Sequence, residues 1–249
     1  MGFLDFLSSE KRGKRRLDRA IRSANNKFKP KDYRQPALSE VIEEARKGND
    51  VAIAGLLARF AVNAEPSIED EKEKEWVCDA LIEIGRSALP QIRHSLRNAE
   101  SVSWMQRTLR NIVSLEEYKK ELLDVLSDFD TEYERNPDRK IQTIAALADT
   151  EGEEVVAALL RFLEDVDEGV RFQTVVSLAN HGLETARESL LKVMIEDESI
   201  RVRNAVIDAF CRLEWLTTGF KKKVEAVLPK GFKQDKSGKI VKLGSARQE

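Results

Sequence analysis

The sequence predicts an all-α protein of about five to six helix pairs, followed by a short C-terminal β-hairpin. Its 249 residues include 35% charged but only 6% aromatic residues, with 12 Gly and 6 Pro, which is typical of helical proteins. Segments with apolar residues three and four positions apart recur along the chain. Between these segments lie Asn, Asp, Gly and Pro, the residue types that turns require.

Five of these segments repeat one helical pattern. Each ends its apolar run on a large residue, with small or branched residues three and four positions earlier, which places them on one face of a helix. A second amphipathic helix precedes each copy, so helix pairs must stack to bury both apolar faces. The five closing residues, 28, 38, 31 and 32 positions apart, are Leu81, Leu109, Leu147, Leu178 and Phe210.

Two copies carry a motif that resembles a known repeat. The pattern L-x-D-x-x-x-x-V-R-x-x-x-V covers Leu163–Val175, and with Ile at the first position it covers Ile195–Ile207. This pattern resembles the HEAT repeat, and the resemblance extends over roughly residues 38–215. It implies a right-handed α-solenoid of armadillo-like helix pairs. It is specific for the fold and carries almost no information on the function.

The charged residues of this motif are candidates for a structural ladder. The resemblance implies that the turn Asp and the Arg of the next helix tie successive layers together. The candidates are Asp165 with Arg171, and Asp197 with Arg203. An Arg guanidinium can pair with a carboxylate while it also donates to loop carbonyls. We therefore predict a structural role for these four residues.

Two repeats contain insertions. The segment DTEYERNPDRK (residues 130–140) is longer than a HEAT turn, and NAEPSIEDEKEKE (residues 63–75) extends the first repeat. In the second insertion, Ser67 and Asp70 have the spacing of a capping box that begins a helix. Such insertions serve either as recognition loops or as tolerated variation.

Motifs for catalysis or metal binding are scarce. His94 and His181 lie 87 residues apart, and Cys78 and Cys211 are interpreted as apolar packing residues. The sequence has no HExxH, phosphate-loop or GxSxG motif, and the repeated His-Glu dipeptides of HEAT-like di-iron hydroxylases are absent. We therefore expect no catalytic residue, no metal and no cofactor, and the unpaired cysteines favour a cytoplasmic location.

The net charge of −2 combines basic ends with an acidic middle. Residues 1–34 carry +7, residues 217–249 carry +6, and residues 35–216 carry −15. We predict three corresponding parts: a basic N-terminal extension with a capping helix, a repeat region, and a last helix with a basic hairpin or tail. The acidic body disfavours nucleic acid as a partner. Contact between a basic end and the body of another copy would give weak self-association.

The predicted function is a non-enzymatic scaffold or adaptor that binds a protein partner on the concave face of the repeats. Positions two and six before each closing residue should face solvent there. Four of these ten positions are apolar: Ile141 and Ala145 on one helix, and Phe172 and Val176 on the next. A contiguous exposed apolar patch usually marks an interaction site. An error in the helix phase, or a cover formed by residues 127–138, is the competing interpretation.

Trp76 and Trp104 occupy equivalent positions, five residues before their closing residues. As exposed side chains they would add secondary contacts for a partner, since Trp is a favoured anchor at interfaces. Because the position borders the buried face, packing between repeats is the other interpretation.

Two further functions stay open at this point. A HEAT-like enzyme of the bilin-lyase or DNA-glycosylase type would share this fold. A weakly membrane-associated scaffold would use residues 1–16, where Phe3, Leu4, Phe6 and Leu7 precede a cluster of Lys and Arg. Such a segment suits an anionic membrane surface.

Overall fold

The computed structural model describes residues 3–243, with side chains from Lys11 onward. Thirteen α-helices, three short 3-10 helices and one two-stranded sheet account for the regular structure of this range, which confirms the all-α class and the C-terminal hairpin. The chain divides into two compact units, unit 1 up to Glu121 and unit 2 from Leu122 onward. No helix between residues 3 and 243 is both long and apolar enough to cross a membrane.

The helices of unit 1 pack on helices one or two places away along the chain. They are α1 (Phe3–Ala24), α2 (Lys31–Arg46), α3 (Asp50–Arg59), α4 (Ser67–Ile84), α5 (Leu89–Asn98), α6 (Ser103–Ile112) and α7 (Leu115–Ser127), which continues into unit 2. Helix α1 packs on α2, α2 on α3, and α4 on α6. The closing residues Leu81 and Leu109 are fully buried, so the predicted phase of α4 and α6 is confirmed.

Helix α1 is held by close contact with α3. Its residues Leu17, Ala20 and Ala24 are buried. A Cβ atom at Gly55 in α3 would lie only 2.8 Å from Cγ1 of Ile21, so the absence of a side chain at Gly55 permits this approach. The predicted apolar contacts of Phe3, Leu4, Phe6 and Leu7 lie outside the described side chains.

The predicted capping box at Ser67 and Asp70 is wrong. Helix α4 begins at Ser67 itself, and Pro66 occupies the N-cap position without a side-chain hydrogen bond. Asp70 instead turns into the interior, where Arg59 and the backbone N–H of Ala64 donate to Oδ1. A buried carboxylate is stabilised more by a guanidinium partner than by a neutral N–H at a helix start.

In unit 2 the helices that carry the closing residues stack side by side. Its elements after α7 are α8 (Asp138–Leu147), α9 (Glu153–Leu160), α10 (Glu168–His181), α11 (Arg187–Glu196), α12 (Ile200–Leu213), α13 (Lys221–Val227), β1 (Phe232–Gln234) and β2 (Ile240–Lys242). Helix α10 packs against both α8 and α12. The closing residues Leu147, Leu178 and Phe210 are fully buried, which confirms the predicted phase of all three helices.

The C-terminal hairpin packs against the last repeat. Strands β1 and β2 are antiparallel, with Phe232 opposite Lys242, and Ile240 is buried beside α12. In the turn, Asp235 Oδ1 accepts a hydrogen bond from the backbone N–H of Lys239 at 2.9 Å, and Gly238 supplies the positive φ of 92°. The Asp-Lys-Ser-Gly turn is therefore where the sequence predicts it.

Candidate functional site

Phe172 and Val176 line an open groove between α10 and α12 in unit 2, with a volume of about 770 Å³. Both side chains are half-buried. The floor on the α12 side is formed by Ala205 and Ala209. Because these two residues are small, α12 presents little side-chain bulk along this face, and a trough remains between the two helices. The groove rim is lined by Asn180, Ile200, Arg201, Asn204, Asp208 and Arg212.

An aromatic ring and a cation close one end of the groove. The guanidinium carbon of Arg201 lies 3.9 Å from the centroid of the Phe172 ring, within the range of a cation–π contact. Arg201 also forms an exposed ion pair with Glu168, with 3.9 Å between Arg201 Nη1 and Glu168 Oε1. The ring of Phe172 therefore contacts Arg201 and remains partly open to solvent.

Exposed Ile200 adds an apolar contact that the sequence pattern missed. Its side chain is 66% exposed in the first turn of α12, directly after the N-cap residue Ser199. The two positions of α12 that the sequence predicts to face solvent lie further along the helix, at Asn204 and Asp208, and both residues are polar. The only sequence signal for Ile200 was a large apolar residue in a first helical turn, where polar residues are usual.

Ile141 and Ala145 lie on α8, outside the lining of the groove. Both are half-buried. Ile141 is partly covered by the start of α10, since a Cβ at Gly169 would lie 3.2 Å from its Cδ1 atom. The structure thus joins Phe172 and Val176 to α12, and it places the other two predicted contacts on the neighbouring helix.

Trp76 and Trp104 lie in unit 1, whereas the groove lies in unit 2. Trp76 is 38% exposed on α4. Trp104 stacks on Phe60, with ring centroids 5.8 Å apart and 9° between the planes, and Arg107 covers it at 5.1 Å. The surroundings of Trp104 are those of a packing residue, while Trp76 remains open to solvent.

Ladder charges connect α8 and α10 to the turn of the following repeat. Arg171 on α10 pairs with Asp197, with 2.8 Å between Nε and Oδ2, and its Nη1 donates to the backbone oxygen of Asp165 at 2.9 Å. The Asp165 carboxylate pairs with Lys140 on α8, with 2.9 Å between Nζ and Oδ2. The hydrogen bond to Asp197 raises the pKa of Arg171 despite its burial. The carboxylate of Asp165 thus pairs with Lys140, the cation of the preceding repeat.

The three ladder cations occupy equivalent positions. Lys140, Arg171 and Arg203 each stand seven residues before the closing residue of their helix. Arg203 makes no side-chain hydrogen bond or ion pair within residues 3–243, because no further repeat follows there to supply a carboxylate. Asp197 consequently pairs with Arg171 rather than with Arg203.

Unit 1 contains a buried network of five charged side chains that the sequence did not reveal. Arg34 binds Glu73 through two hydrogen bonds of 3.0 and 3.1 Å, Arg59 donates to Glu73 and Asp70, and Lys74 pairs with Asp70 at 2.8 Å. Burial alone would raise the pKa of Asp70, but hydrogen bonds from Lys74, Arg59 and the Ala64 N–H lower it. This network joins α2, α3 and α4.

His181 and Cys78 have shifted pKa values because His181 is partly buried and Cys78 is fully buried in the protein. Burial lowers the pKa of His181, and its Nε2 lies 3.1 Å from the carbonyl oxygen of Leu147. Burial raises the pKa of the Cys78 thiol, whose Sγ accepts a hydrogen bond from Thr108. In the part of the chain that the structure describes, no three His, Cys, Asp or Glu side chains cluster as metal ligands would.

Comparison with known proteins supports the repeat assignment. A family model described as HEAT repeats matches residues 120–211. The matched segment includes α8 to α11, the Lys140–Asp165 and Arg171–Asp197 pairs, and most of α12. A search of curated proteins finds no match.

Proposed function

Residues 120–211 match HEAT repeats, and from that premise we propose that this chain is a non-enzymatic scaffold or adaptor. HEAT repeats generally mediate protein–protein interactions. The partner would bind in the groove between α10 and α12. The observation that carries this proposal is the half-open Phe172 ring beside an apolar floor and a polar rim.

The groove has the composition of an interface core. Phe172, Val176, Ala205 and Ala209 provide an apolar floor, and amide and charged side chains surround it. Interfaces of moderate affinity combine such a core with a polar rim. Since the floor is shallow and lined by alanines on one side, it suits a helix or extended segment that carries small or medium apolar side chains.

The rim favours a basic residue next to the apolar anchors of the partner. Arg201 is engaged by Glu168, and Arg212 donates to the carbonyl of Ala179 at 2.9 Å. Asp208 is exposed on the rim and forms no ion pair with another residue of the described chain. A Lys or Arg of the partner would therefore find its carboxylate available.

Site-specific photo-crosslinking tests the proposal. A photoreactive amino acid is placed at Ala205 in the groove or, as a matched control, at Ala157, an exposed alanine on α9. We expect a protein to be crosslinked from Ala205 and not from Ala157. The crosslink should disappear when Phe172→Glu and Val176→Lys are added, provided that circular dichroism shows a folded variant.

Two results would contradict the proposal. One is the same set of crosslinked proteins from both alanine positions, and the other is a crosslink from Ala205 that survives the folded double variant. A milder substitution, Ala205→Gln with a pull-down readout, covers the case in which the double variant does not fold, because position 205 is half-exposed.

A further inference from the structure

Phe28 stands almost fully in solvent at the tip of the loop between α1 and α2 in unit 1. Its side chain is 85% exposed, so it contributes almost nothing to the core. Lys27, Lys29 and Lys31 flank it and are exposed as well. A single exposed apolar residue needs no explanation. An exposed ring next to three exposed lysines, however, offers a partner an apolar contact and a cationic contact together.

The loop is held in a defined shape by the interior of unit 1. Arg34, which is 1% exposed, binds buried Glu73 and also donates to the backbone oxygen of Lys29. Asn26 Oδ1 accepts a hydrogen bond from the Phe28 N–H at 3.0 Å. These contacts order the backbone on both sides of the ring. Little conformational entropy is then lost when the loop binds a partner.

The neighbouring helix adds charge of the same sign. Residues 1–34 carry a net charge of +7. On α1 the exposed cations within the described side chains include Lys11, Lys14, Arg15, Arg19 and Arg22. The loop and this helix together carry a basic surface, and the Phe28 ring projects from the loop.

We propose that this loop docks unit 1 on the surface of membranes that contain anionic phospholipids. Phe28 enters the headgroup region, and Lys27 and Lys29 contact lipid phosphates. Apolar rings at the interface and lysines near an anionic leaflet each add to membrane affinity. This surface is separate from the groove of unit 2, so either proposal can fail without the other.

The geometry favours a membrane over a nucleic acid. Binding of single strands uses several aromatic rings along a basic groove, on which successive bases stack. Here the Phe28 ring, which is 85% exposed, projects from a loop, and Tyr33, five residues later, is another exposed ring. A loop of this kind reaches a broad anionic surface. An acidic surface of a second copy would share the charge complementarity, and the test below separates it.

Vesicle sedimentation with the full chain tests the proposal. We expect binding to vesicles that contain phosphatidylglycerol, no binding to phosphatidylcholine alone, and weaker binding as salt increases. Phe28→Ser should lower the partition coefficient about tenfold, since much of a Phe side chain is withdrawn from water at the interface. Lys27→Glu with Lys29→Glu should lower it at least as much.

A matched control is available in unit 2. Tyr133 is 79% exposed and is flanked by Glu132 and Glu134, so Tyr133→Ser should leave vesicle binding unchanged. Phe28→Trp gives an independent readout: brominated lipids should quench its added fluorescence beyond the quenching of the three native tryptophans.

Several outcomes would overturn the proposal. These are equal binding by Phe28→Ser and wild type, equal binding to both vesicle types, no binding to either, and no added quenching in the folded Phe28→Trp variant. Retention of a single-stranded oligonucleotide, or a dimer in sedimentation velocity that Phe28→Ser abolishes, without vesicle binding, would assign the loop to another partner.

Discussion

Arg171 and Asp197 join two successive repeats of unit 2, with 2.8 Å between Nε and Oδ2. Their side chains are only 9% and 5% exposed. The same guanidinium donates to the carbonyl oxygens of Asp165 and Val166, so one side chain fixes the turn before its own helix and the turn of the next repeat. The connection between neighbouring repeats therefore depends on both partners.

Arg171→Ala should destabilise unit 2 by about 2–4 kcal/mol, because it leaves the Asp197 carboxylate buried without its cation. Arg203→Ala is the matched control: it removes the equivalent cation of the last repeat, which has no ion pair within residues 3–243, and should cost less than about 1 kcal/mol. Urea unfolding followed by circular dichroism measures both. Equal losses would show that the ion pair adds nothing.

Lys140 and Asp165 should behave as a coupled pair. Both side chains are at most 1% exposed, so Lys140→Met should cost about 3–5 kcal/mol by leaving a buried carboxylate without its partner. The double variant Lys140→Met/Asp165→Asn should lose at least about 1 kcal/mol less unfolding free energy than the sum of the losses in the two single variants. Asparagine keeps the acceptor that binds the Asp167 N–H. Unfolding free energies of the four proteins in this cycle measure the coupling, and additive losses would contradict it.

These ion pairs show which part of the structure the sequence could predict. The repeat motif predicted which positions carry the carboxylates and arginines. It could not predict that Asp165 pairs with Lys140, because the motif records spacing within a repeat and the pair depends on how the preceding helix stacks. Lys140 was also hidden by the insertion before it, where a lysine resembles any solvated surface charge.

The groove and the buried network of unit 1 were predictable to different degrees. Helix phase was enough to identify Phe172 and Val176 as partly exposed. The opposite wall was missed because Ala205 and Ala209 resemble core residues in a periodic pattern. The network around Glu73 was not predictable, since it lies in a run of alternating charges and its partners Arg34 and Arg59 are supplied by other helices.

Acid should destabilise unit 1 through Asp70. Its pKa in the folded protein lies below the ordinary value of 3.8, so the folded state binds fewer protons than the unfolded state. The contribution of Asp70 is therefore complete above that ordinary value, and it is lost as the pH falls from there through the lowered pKa. Urea midpoints measured over this acid range should fall steeply for the wild type.

Asp70→Asn should flatten this acid dependence. At neutral pH it should also cost about 2–4 kcal/mol, because Arg59 and Lys74 lose a buried anionic partner. Asp79→Asn is the control on the same helix, since Asp79 is exposed, and it should follow the wild type. If Asp70→Asn shows the wild-type slope, the acid sensitivity arises from other groups.

Gly55 should control how firmly α1 is held on unit 1. In Gly55→Leu the new side chain collides with Ile21, whose Cγ1 atom lies 2.8 Å from the Cβ position, and overpacking of this kind costs about 1–3 kcal/mol. Because α1 carries many Lys and Arg residues, trypsin reports its release directly: cleavage after Arg19 and Arg22 should be faster than in the wild type. Ala58→Leu, on the exposed face of the same helix, should leave the cleavage rate unchanged. Equal rates for Gly55→Leu and Ala58→Leu would mean that α1 accommodates the added side chain without leaving α3.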